Sequence, residues 1–222
     1  MNHTPPSPRA FAMKMWRNTS IFSGFVFIAY LMYAYALYGN FDFFALSDAL
    51  LGTSDAMLSA SLVLSAFSYF FDFLDSKLVY RKYLGLMGFW LALLYAATIM
   101  YLEPGIYFYG LPHTIQEPRV YLGIAAMGLL AFMAMISNNF AMRKLGFRNW
   151  RRLLRVGYIA YGLLAIRAYI LEHDVWREWF INPETLPSVR LITTFFAACV
   201  ILFRFAMQKY SAQDELLPAQ LP

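Results

Sequence analysis

The chain has 222 residues, of which 60% are hydrophobic, 19% aromatic and only 14% charged, whereas a soluble domain carries roughly 25% charged residues. Long apolar runs recur along the whole length, which excludes a soluble globular domain and makes this an integral membrane protein. The net charge of +5 is not a nucleic-acid signal, because the basic residues fall between apolar runs, and the single cysteine, Cys199, excludes an intrachain disulfide framework.

In chain order, Pro5, Pro6 and Pro8 keep the start irregular. Phe11, Met15 and Trp16, interspersed with Arg9, Lys14 and Arg17, read either as a short amphipathic surface helix or as an ordinary charged flank within an N-terminal segment 1–19. Six membrane helices follow within a domain 20–208: Ile21–Tyr38, Met57–Phe73, Leu84–Tyr101, Val120–Phe140, Leu153–Leu171 and Pro187–Met207. Each approaches the roughly 20 residues that cross a hydrocarbon core as a helix, the form that satisfies its own backbone in lipid. The basic start, the first apolar run and Ala34-Tyr35-Ala36 also imitate a signal peptide and its cleavage site. The run is long for that, and Tyr33, Tyr35 and Tyr38 resemble an interfacial aromatic belt. The second run is serine-rich and holds Asp72; the sixth must bring Arg190 and Arg204 to the two interfaces by snorkelling. Ala56/Ala60, Ser61/Ser65, Gly85 and Gly88 are small residues that let helices approach closely. The stretch 209–222 is a polar, proline-broken tail. The predicted fold is therefore all-α, an integral membrane six-helix bundle.

Charge sets the orientation. Fourteen of the eighteen basic residues flank the runs on one side, and only Arg119, Arg177 and Arg190 fall on the other, which places both termini in the cytoplasm. Nine of the thirteen acids, Asp42, Asp48 and Asp55 among them, are read as lying outside.

Histidine is scarce: His3, His113 and His173 all lie outside the middle of any span. That removes the usual imidazole ligands for haem, copper or zinc within the bilayer. His113 and His173, near Glu117 and Asp174, read as isolated surface histidines or as a pair that meets a metal or a partner. Asn138 and Asn139 are read as capping the fourth helix, and Asp72 and Asp75 as salt-bridging Lys77 and Arg81. No acid–base or nucleophile constellation appears, so no catalytic residue and no metal site is assigned.

Two stretches carry a pattern. The third span reads RKYLGLMGFWLALLYAATIMYLE from Arg81, and the loop and fifth span read MRKLGFRNWRRLLRVGYIAYGLLAIRAYILE from Met142. This resembles the ferric-reductase-like transmembrane domain over about residues 40 to 175, and looks most like its bacterial branch containing the haem-binding membrane subunit of methionine sulfoxide reductase systems. The resemblance implies a helical bundle built around haem. It also implies where the family's histidines would fall: at Tyr95, Leu154 and Arg167, and near Ala49. None of these is histidine.

Tyr95 and Arg167 are the candidate cofactor-binding residues, at the vacated haem-pocket positions. Each lies 13 or 14 residues into its span, roughly 20 Å deep at 1.5 Å per residue. Arg167 either snorkels outward to Glu172, Asp174 or lipid phosphate, or fills the pocket against tyrosines such as Tyr95, or stands beside a haem that Tyr95 ligates. The reading is a non-catalytic, haem-free membrane subunit of a larger redox, respiratory or photosynthetic complex, with lipid and a membrane protein as partners, no nucleic acid and no cofactor. The alternative is an electron-transfer subunit that binds quinone or haem through unusual ligands. A small transporter or channel ranks below both, since no paired broken helices or internal repeat appears.

Overall fold

The computed structural model describes residues 8–67, 78–105, 117–146, 149–150, 153, 155–183 and 185–214. These contain seven α-helices and no strand: α1 Pro8–Tyr38, α2 Phe43–Phe67, α3 Leu78–Leu102, α4 Pro118–Ile136, a short α5 Asn139–Leu145, α6 Val156–Ile181 and α7 Val189–Asp214. Four of them, α1, α3, α4 and α7, are long and apolar enough to cross a membrane. The helices α2 and α6 are as long but carry ionisable residues among their apolar ones.

Local sequence sets the ends. After α1, Gly39 takes a positive φ of 74°, a conformation glycine adopts without a Cβ penalty, and its N–H caps the Tyr35 carbonyl. Three residues later the Asp42 carboxylate accepts the Ala45 N–H and starts α2. Asn138 serves two helices, donating to the Met135 carbonyl at the end of α4 and accepting the Ala141 N–H at the start of α5. Its expected capping role is thus present and doubled. Ser188 accepts the Leu191 N–H and opens α7.

Several helix bounds differ from those read in sequence. α1 runs unbroken from Pro8, so Phe11, Met15 and Trp16 belong to the same helix as the first apolar run. α2 begins at Phe43, fourteen residues before the expected start at Met57, and the end of that expected span, with Asp72 and Asp75, lies outside the described residues. α6 continues ten residues past Leu171, to Ile181. α7 runs on to Asp214, into the stretch expected to be tail.

Successive long helices alternate in direction. One end of the bundle is basic (Lys14, Arg17, Lys82, Arg143, Arg155, Arg204) and the other acidic (Asp42, Asp48, Glu103, Glu117, Glu172, Asp174). α2 is the central element, packed on α1, α3 and α7. Leu58 and Leu62 of α2 meet Leu130 of α4, Ala160 and Tyr161 of α6, and Ala197 and Val200 of α7 in the core. Large apolar side chains such as Phe25, Trp90, Leu94, Phe195 and Leu202 face outward, as a lipid-contacting surface requires.

Small residues make the close approaches on α2 and α3. Ser54 donates to the Gly88 carbonyl and Ser61 to the Arg81 carbonyl, and a Cβ on Gly88 would lie 2.8 Å from Leu58. A Cβ on Gly52 would lie 2.4 Å from the Tyr30 ring of α1. Gly52→Val is therefore expected to destabilise the bundle by about 1–3 kcal/mol through overpacking, read as a lowered thermal midpoint in detergent. Adding Tyr30→Ala should recover part of the loss, and a Gly52→Val protein as stable as wild type would contradict the α1–α2 packing.

Candidate functional site

The inward faces of α2, α3, α4, α6 and α7 enclose a cavity of about 380 Å³. Its walls are mostly aliphatic, with Leu51, Leu58, Ile99, Val120, Ile124 and Leu164 among them. The two residues singled out from sequence, Tyr95 on α3 and Arg167 on α6, both line it. Of the other two family positions, Ala49 is fully buried in α2, and Leu154 lies outside the described residues.

Towards the acidic end the cavity is bounded by a polar network. Glu172 of α6 accepts hydrogen bonds from Arg190 of α7 (2.5 Å), Ser188 Oγ (2.6 Å) and Trp176 Nε1 (3.0 Å). The Tyr95 hydroxyl stands beside the Arg190 guanidinium. Arg190, the second residue of α7, keeps 25% of its side chain exposed, against 15% for Glu172. A guanidinium held against a carboxylate in this way is tolerated at the end of a bundle. Arg167 reaches α4, where its Nε donates to the Arg119 carbonyl at 2.8 Å. Gly123 makes room for it, since a Cβ there would sit 2.9 Å from that Nε. On the other flank Tyr38 donates to Asp48 at 2.6 Å, which ties α1 to α2.

Deeper in the bundle stands a second polar group that sequence reading placed wrongly. Asp55, expected outside, is buried on α2 and lines the cavity. Its Oδ1 accepts from the Tyr161 hydroxyl of α6, which also bonds the Ser59 hydroxyl. A usable signal was present: Asp48 and Asp55 are seven apart, so they share one helix face, the face that turned out to be inward.

Three buried polar atoms on the cavity wall have no hydrogen-bond partner: Asp55 Oδ2, Arg190 Nε and Thr194 Oγ1. Such atoms are rare in folded proteins and usually answer to water or a ligand. Below the first cavity lies a second of about 180 Å³, lined by Arg81, Lys82, Asn138 and Trp150 at the basic end. Leu58 and Tyr161 belong to the walls of both. Elsewhere, His173 contacts the adjacent Asp174 at 3.2 Å on the exposed end of α6. His113 lies outside the described residues.

Residues 52–165 match the family described as ferric reductase like transmembrane component. Among curated proteins, the chain is similar to subunits named protein-methionine-sulfoxide reductase heme-binding subunit MsrQ from Brucella ovis, Brucella suis and Brucella abortus. Each is 30% identical over 128 residues, covering 57% of this chain and 53% of the relative. The chain therefore spans about half the length of the curated relatives it matches. Their names overturn the expectation of no cofactor: the relatives over this stretch are named for binding haem.

The Glu172–Arg190 pair gives a direct test of the acidic-end network. Removing one partner of a buried pair strands the other charge and costs about 3–5 kcal/mol, whereas replacing both with apolar residues is close to neutral. Arg190→Met should lower the thermal midpoint strongly and Arg190→Met with Glu172→Leu should restore most of it. Equal stability of the single variant and wild type would contradict the burial of the pair.

Proposed function

Because the chain belongs to the ferric reductase like transmembrane family, we propose that it is a membrane-embedded electron-transfer subunit of a larger complex, with haem in the cavity between α2, α3, α4, α6 and α7. The setting we infer is a bacterial inner membrane, both termini cytoplasmic, with a membrane-protein partner. The charge pattern supports that orientation.

The observation that carries the reading is the composition of the cavity wall. Aliphatic side chains suit a porphyrin face, and three arginines, Arg119, Arg167 and Arg190, stand on the same wall. A guanidinium is suited to a carboxylate, and haem brings two propionates. The unpartnered Arg190 Nε and Thr194 Oγ1 are donors left over for an oxygen acceptor. The periphery of a haem thus fits. For iron, the described wall offers no imidazole and no thiolate; its donors are the Tyr95 phenol and the Met100 and Met127 thioethers. Phenolate and thioether are both known haem ligand types. Tyr161 is already committed to Asp55 and Ser59.

Haem, when bound, supplies one-electron chemistry. The chain's own residues do the rest. Tyr95 and Met100 of α3 and Met127 of α4 would offer the donors to iron, and Arg119, Arg167 and Arg190 would hold the propionates. The aliphatic lining keeps bulk water out. Arg167 and Arg190 lie beyond the matched stretch 52–165, so this part of the cradle belongs to the remainder of the chain.

The test is a reduced-minus-oxidised absorbance spectrum, with pyridine haemochrome quantitation, of protein purified from its native membrane. About one haem per chain is expected, with Tyr95→Phe or a methionine variant changing the spectrum. A colourless protein at every stage of isolation would overturn the reading, as would a cavity that yields only quinone on extraction.

A further inference from the structure

The Asp55 cluster is the feature the cofactor cradle does not use. α2 enters the bundle at Phe43, and Asp55 lies twelve residues further on, roughly 18 Å along the helix. That is deep within any bilayer the bundle crosses. A carboxyl group at such depth is costly, and where it occurs it faces a bundle interior or a water-filled space and commonly serves a proton path. Here it faces a cavity. One oxygen is held by Tyr161, while the other, Oδ2, is buried without a partner.

The position of Tyr161 gives the group a direction. Its ring stands in the partition between the two cavities, and its hydroxyl contacts both Asp55 and Ser59. The second cavity opens among Arg81, Lys82, Asn138 and Trp150 at the basic end. Tyr161 therefore lines the small cavity and, through its hydroxyl, touches a carboxyl group on the wall of the large one.

We propose that Asp55 is a proton-exchange site, supplied through Tyr161 and Ser59 from the second cavity, that balances charge arriving in the first. The step conserves atoms. Tyr161 passes its hydroxyl proton to the Asp55 carboxylate, one O–H bond breaking as another forms, and the phenol oxygen recovers a proton from a hydronium ion in the second cavity, which is left as water. Release runs the same steps backwards. Charged and titratable groups of every neighbouring element stand around the site: Tyr30 of α1, Tyr95 of α3, Arg119 of α4, Tyr161 and Arg167 of α6, and Arg190 of α7. The purpose assigned to the site rests on the electron-transfer reading, but proton exchange itself does not require a bound cofactor.

Infrared spectroscopy of the full-length protein in lipid tests it with or without haem. A carboxylic-acid carbonyl band should appear as pH falls, vanish in Asp55→Asn and move in Asp55→Glu. On transfer to heavy water that band should shift, and Tyr161→Phe should slow the shift by tenfold or more. Absence of an Asp55-dependent acid band across the stable pH range would overturn the proposal. So would a band that never exchanges, or one that exchanges at the same rate without the Tyr161 hydroxyl. Protein that carries no haem when isolated from its native membrane, yet still shows the Tyr161-dependent exchange, would overturn the cofactor assignment and leave the proton site standing.

Discussion

Lipid offers no hydrogen-bond partner, so each polar side chain that the long helices turn inward must be satisfied by another helix or by what the bundle encloses. Most of this architecture follows from that requirement. Ser54 and Ser61 spend their hydroxyls on backbone carbonyls of α3. Tyr38 meets Asp48, and Arg190 meets Glu172. Each pairing fixes one helix against another at a defined height, which apolar packing alone does loosely. The helix with the most buried polar residues among those described, α2, meets α6 across Asp55 and Tyr161. Of the four buried side-chain polar atoms without a partner among the described residues, three (Asp55 Oδ2, Arg190 Nε and Thr194 Oγ1) lie on a single cavity, and the fourth, Thr19 Oγ1, stands apart on α1.

The polar groups are also layered. The arginines and Glu172 lie towards the acidic end of the cavity, the aliphatic walls surround it, and Asp55 sits deeper, next to the partition formed by Tyr161. Charge at one level is thereby separated from the carboxyl at another. In a medium of low dielectric such an arrangement lets an added electron be felt by the carboxyl without direct contact. The separation is what a redox subunit needs if electron arrival is to be matched by a proton.

Much of the fold was legible in the sequence. The spans at α1, α3, α4 and α7 were located because their apolar runs are continuous, and the pair Tyr95 and Arg167 came from the resemblance together with equal depth along two helices. The failures share one cause. Hydropathy treats Asp48 and Asp55 as signs of a loop, so the second span was shifted towards Met57 and its most informative residue was placed outside. The compensating partner is remote in sequence: Tyr161 lies 106 residues from Asp55. A single chain read linearly does not reveal such partners. Scarcity of histidine was read as scarcity of cofactor, and the relatives' names corrected that inference. Ligand type and cofactor presence are separate questions when phenol and thioether donors line the same wall.

The account stands on Asp55 being inside the bundle. Single cysteines placed at Asp42 and at Asp55, with Cys199 replaced by serine, can be challenged with a bulky membrane-impermeant maleimide in sealed, oriented membranes. Asp42 caps the exposed start of α2 and its cysteine should label from one side, whereas the cysteine at 55 should remain unlabelled from either side until the protein is denatured. Labelling of both at comparable rates would place Asp55 in a surface loop and remove the inner polar group on which the site depends.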